Sequence, residues 1–146
     1  MRNAISNWQV KRVLSPVSVS DNTAQVGQII DRVGYDSVSY VIAIGSVADA
    51  DATFAVLLEE GDAANLSDAA TVGAADLISQ TSGTAAMTAA SFQFDSDDQV
   101  RKIGYVGKKR YTRLTITPSA NSSAALMSAV AVLSRPMLMP VTQGTS

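Results

Sequence analysis

The chain has 146 residues, 47% of them apolar, enough for a real core in one domain and short of two. Cysteine and histidine are both absent, which excludes disulfides, thiol nucleophiles, Ser-His-Asp and Cys-His arrangements and the common zinc ligand sets. The formal net charge of −2 hides a segregation: no Lys or Arg lies between Val33 and Gln99, where eleven of the 13 carboxylates fall, while the basic residues sit towards the two ends.

Residues 1–20 carry Trp8, Val10, Val13, Leu14, Val17 and Val19 around Pro16 with no strong turn, and read as an N-terminal arm. Met1 to Ser6 lack the apolar region of a secretory signal, and the longest apolar runs are far short of a membrane span, so a soluble protein made in the cytoplasm, with no membrane partner, is expected. From Ser37 to Gly45 the pattern has period two: Val38, Tyr40, Ile42 and Ile44 share one face, Ser39, Val41 and Ala43 the other. A turn rich in Asp and Ala follows, and Thr53 to Glu60 alternates again, with Phe54, Val56 and Leu58 on one side. Glu60-Gly61-Asp62 closes that strand, and Asp62 is placed to cap one helical turn through Asn65.

Between Ala63 and Ala75 alanine favours helix, whereas Thr71, Val72 and Gly73 oppose it. Ser79 to Ser91 is poor in large apolar groups and reads as a mobile loop. Gly107-Lys108-Lys109 then joins a strand ending near Tyr105 to one starting at Arg110, predicting a tight hairpin. The second of these strands, Tyr111 to Thr117, is ended by Pro118. A last strand, Ala125 to Leu133, alternates small and branched residues, with Val130 and Val132 together. Beyond it, Arg135 to Val141 is an apolar stretch bracketed by Pro136 and Pro140, extended but unfit for a central strand. Short strands separated by polar turns predict an all-β fold, a single-domain, jelly-roll-like β-sandwich over residues 21–134, flanked by extended arms at 1–20 and 135–146.

Little in this chain is equipped for catalysis. Carboxylates are the only candidate groups, and the adjacent Glu59 and Glu60 point to opposite faces of one strand, so they cannot flank a substrate. Asp95, Asp97 and Asp98 resemble the start of a calcium loop but lack its central glycine and closing glutamate, and read as a solvated turn. No metal or cofactor site is expected, and no enzyme. Arg101, Lys102, Lys108, Lys109 and Arg110, flanked by Tyr105 and Tyr111, are the only footprint for nucleic acid, and the acidic middle would repel a polyanion, so no nucleic-acid partner is expected. Apolar arms mark interaction sites instead. The candidate contact residues are Trp8, Val10, Lys11, Arg12, Val13 and Leu14 in the first arm, and Met137, Leu138 and Met139 in the second.

The segments Val26-Gly27-Gln28-Ile29-Ile30-Asp31-Arg32, Ser37 to Gly45, Phe54 to Asp62 and Lys102 to Tyr111, taken together, resemble the capsid decoration, or cement, proteins of tailed bacteriophages. That resemblance implies a β-sandwich, often trimeric, that binds the outer surface of an icosahedral shell and locks major capsid protein subunits together. It implies a place on the virion and no catalytic residues. A different class of function, a tail-fibre or spike module recognising cell-surface glycans, would need an aromatic platform, yet aromatics make up only 5% of the chain.

Overall fold

The computed structural model describes residues 3–144; Met1, Arg2, Thr145 and Ser146, the outermost residues of the two expected arms, lie outside the described residues. In chain order the strands are β1 (Trp8–Val19), β2 (Gln25–Val26), β3 (Ile30–Asp31), β4 (Tyr35–Val47), β5 (Thr53–Gly61) and β6 (Ala70–Thr71). They continue with β7 (Leu77–Ser79), the short helix α1 (Ala86–Ala90), β8 (Phe92–Gln93), β9 (Val100–Tyr105), β10 (Tyr111–Ser119) and β11 (Ala125–Pro136). Two antiparallel sheets pack face to face. One has five strands in the order β1-β11-β4-β9-β7; the other is centred on β10 and β5, with β2 and β3 beside β10 and β6 and β8 beside β5.

The period-two pattern explains the core. Val38, Tyr40, Ile42 and Ile44 of β4 turn inward to meet Phe54, Val56 and Leu58 of β5 and Leu114 and Ile116 of β10, all buried. Each such side chain contributes about 1.5–3 kcal/mol through the apolar surface it removes from water. Phe54 and Phe92 stack with ring centroids 4.8 Å apart, fastening β8 to the second sheet.

Two tyrosines bolt the sheets together. The Tyr40 hydroxyl, from the first sheet, lies 2.7 Å from Thr112 Oγ1 of β10, with both residues fully buried. The Tyr105 hydroxyl, also from the first sheet, donates to Glu60 of β5 and accepts from the Lys109 N–H. Burial pushes both phenols above their ordinary range, so both stay protonated. Tyr40→Phe removes one partner and strands the Thr112 hydroxyl in the core, which should cost about 1–3 kcal/mol in urea denaturation. Adding Thr112→Val should recover most of that loss, and a double variant no better than the single one would remove the pair from the account.

Several connections differ from the sequence expectation. Gly107 to Lys109 do not turn a hairpin: β9 belongs to the first sheet and β10 to the second, so residues 106–110 cross between layers. The chain folds over the Tyr105 phenol, so closely that a Cβ on Gly107 would lie 2.5 Å from its Oη. Pro118 does not end its strand. It pairs with Phe54 beyond the reach of β2, where β10 has only one neighbour and a missing N–H is tolerated. Residues 79–91 are not simply a loop, because α1 anchors them through buried Ala86 and Ala90. Asp62 caps no helix; its own N–H and that of Ala63 donate to the Asp68 carboxylate, which closes an irregular turn.

The N-terminal segment is folded back rather than reaching away. It forms β1, an edge strand paired with β11 from Trp8 opposite Ser134 to Val19 opposite Ala125. The reason is that folding back pairs its backbone groups and buries Val13 and Val19. At the other end β11 runs on through Pro136 before the chain leaves the sheet at Met137.

Four carboxylates brace the loops, and all four are held below the ordinary value of 3.8. Asp21 accepts from the Thr23 N–H, Asp31 from the Arg110 guanidinium, Asp49 from the Ser122 hydroxyl, and Asp68 from the Asp62 N–H. A carboxylate with a depressed folded-state value stabilises the fold above its unfolded value, and that contribution fades as pH falls through the folded one. Melting temperature should therefore be nearly flat from neutrality down to about pH 5 and decline below about pH 4. Calorimetry across that range checks it; an equally steep acid limb after joint Asp31→Asn, Asp49→Asn and Asp68→Asn replacement would contradict the assignment.

Candidate partner-binding surface

Strand register sorts the residues of the five-stranded sheet into an inner and an outer set. Opposite the buried set of β4, the residues Ser37, Ser39, Val41 and Ala43 face outward, paired on one side with Ser134, Val132, Val130 and Ser128 of β11. On the other side Ser39, Val41 and Ala43 pair with Gly104, Lys102 and Val100 of β9, and Ile78 of β7 lies beside Gly104. Trp8, Val10 and Arg12 of β1 extend the same face, opposite Ser134, Val132 and Val130.

An antiparallel sheet facing water normally alternates apolar-in with polar-out. This one does not. Its outward positions mix Trp8, Ile78 and several valines with four serines and other small residues, with Arg12 and Lys102 the only charges among those named and no carboxylate. Ile78, Val100, Leu126 and Val130 are all exposed. The second sheet behaves conventionally: on its outer face Arg113 bonds Glu59 across the β10–β5 pair at 2.8 Å, and at its rim Arg110 bonds Asp31 at 2.8 Å. From the spacing of strands and the rise per residue, the whole outer face of the sheet, serines and the two basic residues included, spans roughly 600 Å².

A notch interrupts this face at one end. Register slips occur in β1 between Arg12 and Leu14 and again between Leu14 and Val17, and in β4 between Ile44 and Val47, opposite Met127 and Ala125 of β11. Bulges at neighbouring levels on the two strands that flank β11 open a recess of about 440 Å³, lined by Val17, Ile44, Gly45, Leu126 and Met127 among others.

The structure divides the expected contact residues. Trp8, Val10 and Arg12 lie on the outer face. Lys11 points the other way and donates through Nζ to the Asp31 carbonyl at 3.3 Å. Val13 and Leu14 are not available as contacts: the bulge after Arg12 turns them inward, so Val13 is buried and Leu14 packs on the core. Met137, Leu138 and Met139 are 72%, 85% and 64% exposed at the sheet's other end. Val41, Ile78, Val100, Leu126, Val130 and Val132, which share this face, were not among the expected contact residues. Their signal was the absence of charge at the solvent-side positions of long strands.

Some of the charged side chains are paired within the fold. Lys109 pairs with Asp62, Arg110 with Asp31 and Arg113 with Glu59, while Arg32 donates to the carbonyls of Gly107 and Tyr35. Glu59 and Glu60 are thus both engaged in structural bonds. Among the described residues no group of three or more acidic side chains converges as a metal site, and no helix is long and apolar enough to cross a membrane.

No family model and no curated protein matches the chain. Among solved structures it is similar to a family GH115 4-O-methyl-α-glucuronidase, BtGH115A, with specificity for decorated arabinogalactans. The two share 14% identity and a TM-score of 0.42, and the match covers 92% of this chain but only 17% of that enzyme. A likeness at that level assigns neither a fold family nor an activity.

Proposed function

We propose that this chain is a structural virion protein that binds the outer surface of an icosahedral phage capsid and stabilises contacts between major capsid protein subunits. The observation that carries the docking role is the outer face of the five-stranded sheet, broad, apolar and almost free of charge. Contiguous exposed apolar surface rimmed by polar residues is the usual mark of an interaction site. The capsid as partner comes from the sequence resemblance. Attachment as a homotrimer would make individually weak contacts multivalent on a symmetric lattice.

The experiment is quantitative mass spectrometry of purified virions, counting copies of this chain per major capsid subunit. A ratio near one, or a simple fraction set by the lattice, is the expected result. A handful of copies would place the chain on the tail or at a vertex, and absence would end the virion reading.

A further inference from the structure

Three segments meet where β11 leaves the sheet: the turn at Ile5–Asn7, the start of β1, and the chain returning after Pro136. The returning segment is held by few but well-formed bonds. The Val141 N–H donates to the Ser6 carbonyl at 2.9 Å. The Gln143 side chain then donates through Nε2 to the Val10 carbonyl at 2.7 Å and accepts from the Val10 N–H at 3.0 Å. One side-chain amide thereby satisfies both main-chain groups of an edge-strand residue, as a neighbouring strand would. Beneath these bonds Ile5, Trp8, Val10 and Val141 line an apolar cavity of about 430 Å³.

The link into this seat is short and badly placed for water. It consists of Met137, Leu138, Met139 and Pro140, and its first three residues are the most exposed run of large apolar side chains among the described residues. The seat lies on the outer edge of β1, so a segment arriving from outside displaces no strand.

We propose that residues 141–143 are exchanged between copies of this chain, the C-terminal segment of one copy seating on β1 of the next. Exchange reproduces every bond of the closed form, because the groups are identical, and each seat is then completed by the partner's segment. What changes is the link. Opened, it spans two copies and brings their apolar 137–139 runs together, which the closed form leaves in water. Short connecting loops invite exchange. The closed form is favoured in dilute solution, where the segment's effective concentration at its own seat is far above that of any neighbour, and exchange gains as copies are concentrated. The inference is independent of which assembly the sheet face binds.

The natural absence of cysteine makes the test direct. A Ser6→Cys chain and a Val141→Cys chain are mixed at high concentration, incubated and oxidised, and the products are mapped by non-reducing electrophoresis and mass spectrometry. A bridge between position 6 of one chain and position 141 of another forms readily only in the exchanged arrangement. The expected result is that this heterodimer exceeds, about fivefold or more, the yield from a control pairing Ser6→Cys with Thr71→Cys on the other sheet. A yield no greater than the control overturns the proposal. Light scattering on the unaltered chain gives a second readout free of any folding defect: a mass that rises with concentration is expected, and a monomer at every concentration overturns it as well.

Discussion

Phe54→Ala should lower the free energy of unfolding by about 3–5 kcal/mol, the largest effect expected from one truncation in this core. The ring is 1% exposed and stacks on Phe92 with only 6° between their planes, so truncation loses the transfer free energy and leaves a cavity its neighbour cannot fill. A second loss follows from position. β8 pairs with β5 through Phe54–Phe92 and Thr53–Gln93, and that contact helps hold the segment carrying α1. Against a total stability of about 5–15 kcal/mol for a domain of this kind, the variant should be marginal at room temperature. Guanidinium titration measures the loss, and hydrogen exchange should show residues 86–96 opening before the rest. Phe54→Leu, which keeps much of the volume, should cost clearly less; equal losses for the two variants would mean that the stacked geometry rather than the filled space matters.

Val130→Glu should leave the fold nearly untouched and weaken capsid attachment by about thirtyfold or more, equivalent to roughly 2 kcal/mol. Val130 is at the middle of the outer face, paired with Val41 and Arg12 and still 36% exposed, so the new carboxylate reaches water in the free protein. Bound, it would be desolvated against a face whose only nearby cation is Arg12. Thr117→Glu, on the exposed outer side of the second sheet, is the matched control and should bind as the parent does. Co-sedimentation with capsids stripped of this chain reads both. Equal binding by Val130→Glu would remove the sheet face from the interface, and a loss confined to Thr117→Glu would transfer the role to the opposite side.

The parts of the fold legible in the sequence are those written by strict alternation. Tyr40 and Ile42 in β4, and Phe54 and Leu58 in β5, face the core as their period demands. Partnering was not legible, because alternation says which side chains share a face but not which strand lies alongside. Tyr105 and Tyr111 sit either side of a Gly-Lys-Lys turn, yet the strands they belong to lie in different sheets, β9 beside β4 and β10 beside β5. The docking face was half legible for a related reason. In β11 the inner positions are Ala125, Met127, Ala129, Ala131 and Leu133, and the branched Val130 and Val132 face outward, so side-chain size alone misidentifies the core. The N-terminal arm was misjudged by the same omission: the apolar residues of β1 had a partner strand, but it lay at the far end of the sequence.

That partnership governs how the molecule comes into being. Even the nearest of the β1–β11 pairs, Val19 with Ala125, is separated by 106 residues, and the successive long strands β4, β5, β9, β10 and β11 alternate between the two sheets. With no long hairpin to nucleate within a layer, almost every pairing must await distant chain, which places folding on the slow side of the range for β proteins. During synthesis β1 leaves the ribosome long before the strand that will cover its edge exists. Until β11 arrives, β1 and β4 each present an unpaired, apolar edge to every other nascent copy, so the polypeptide is most adhesive before it is complete.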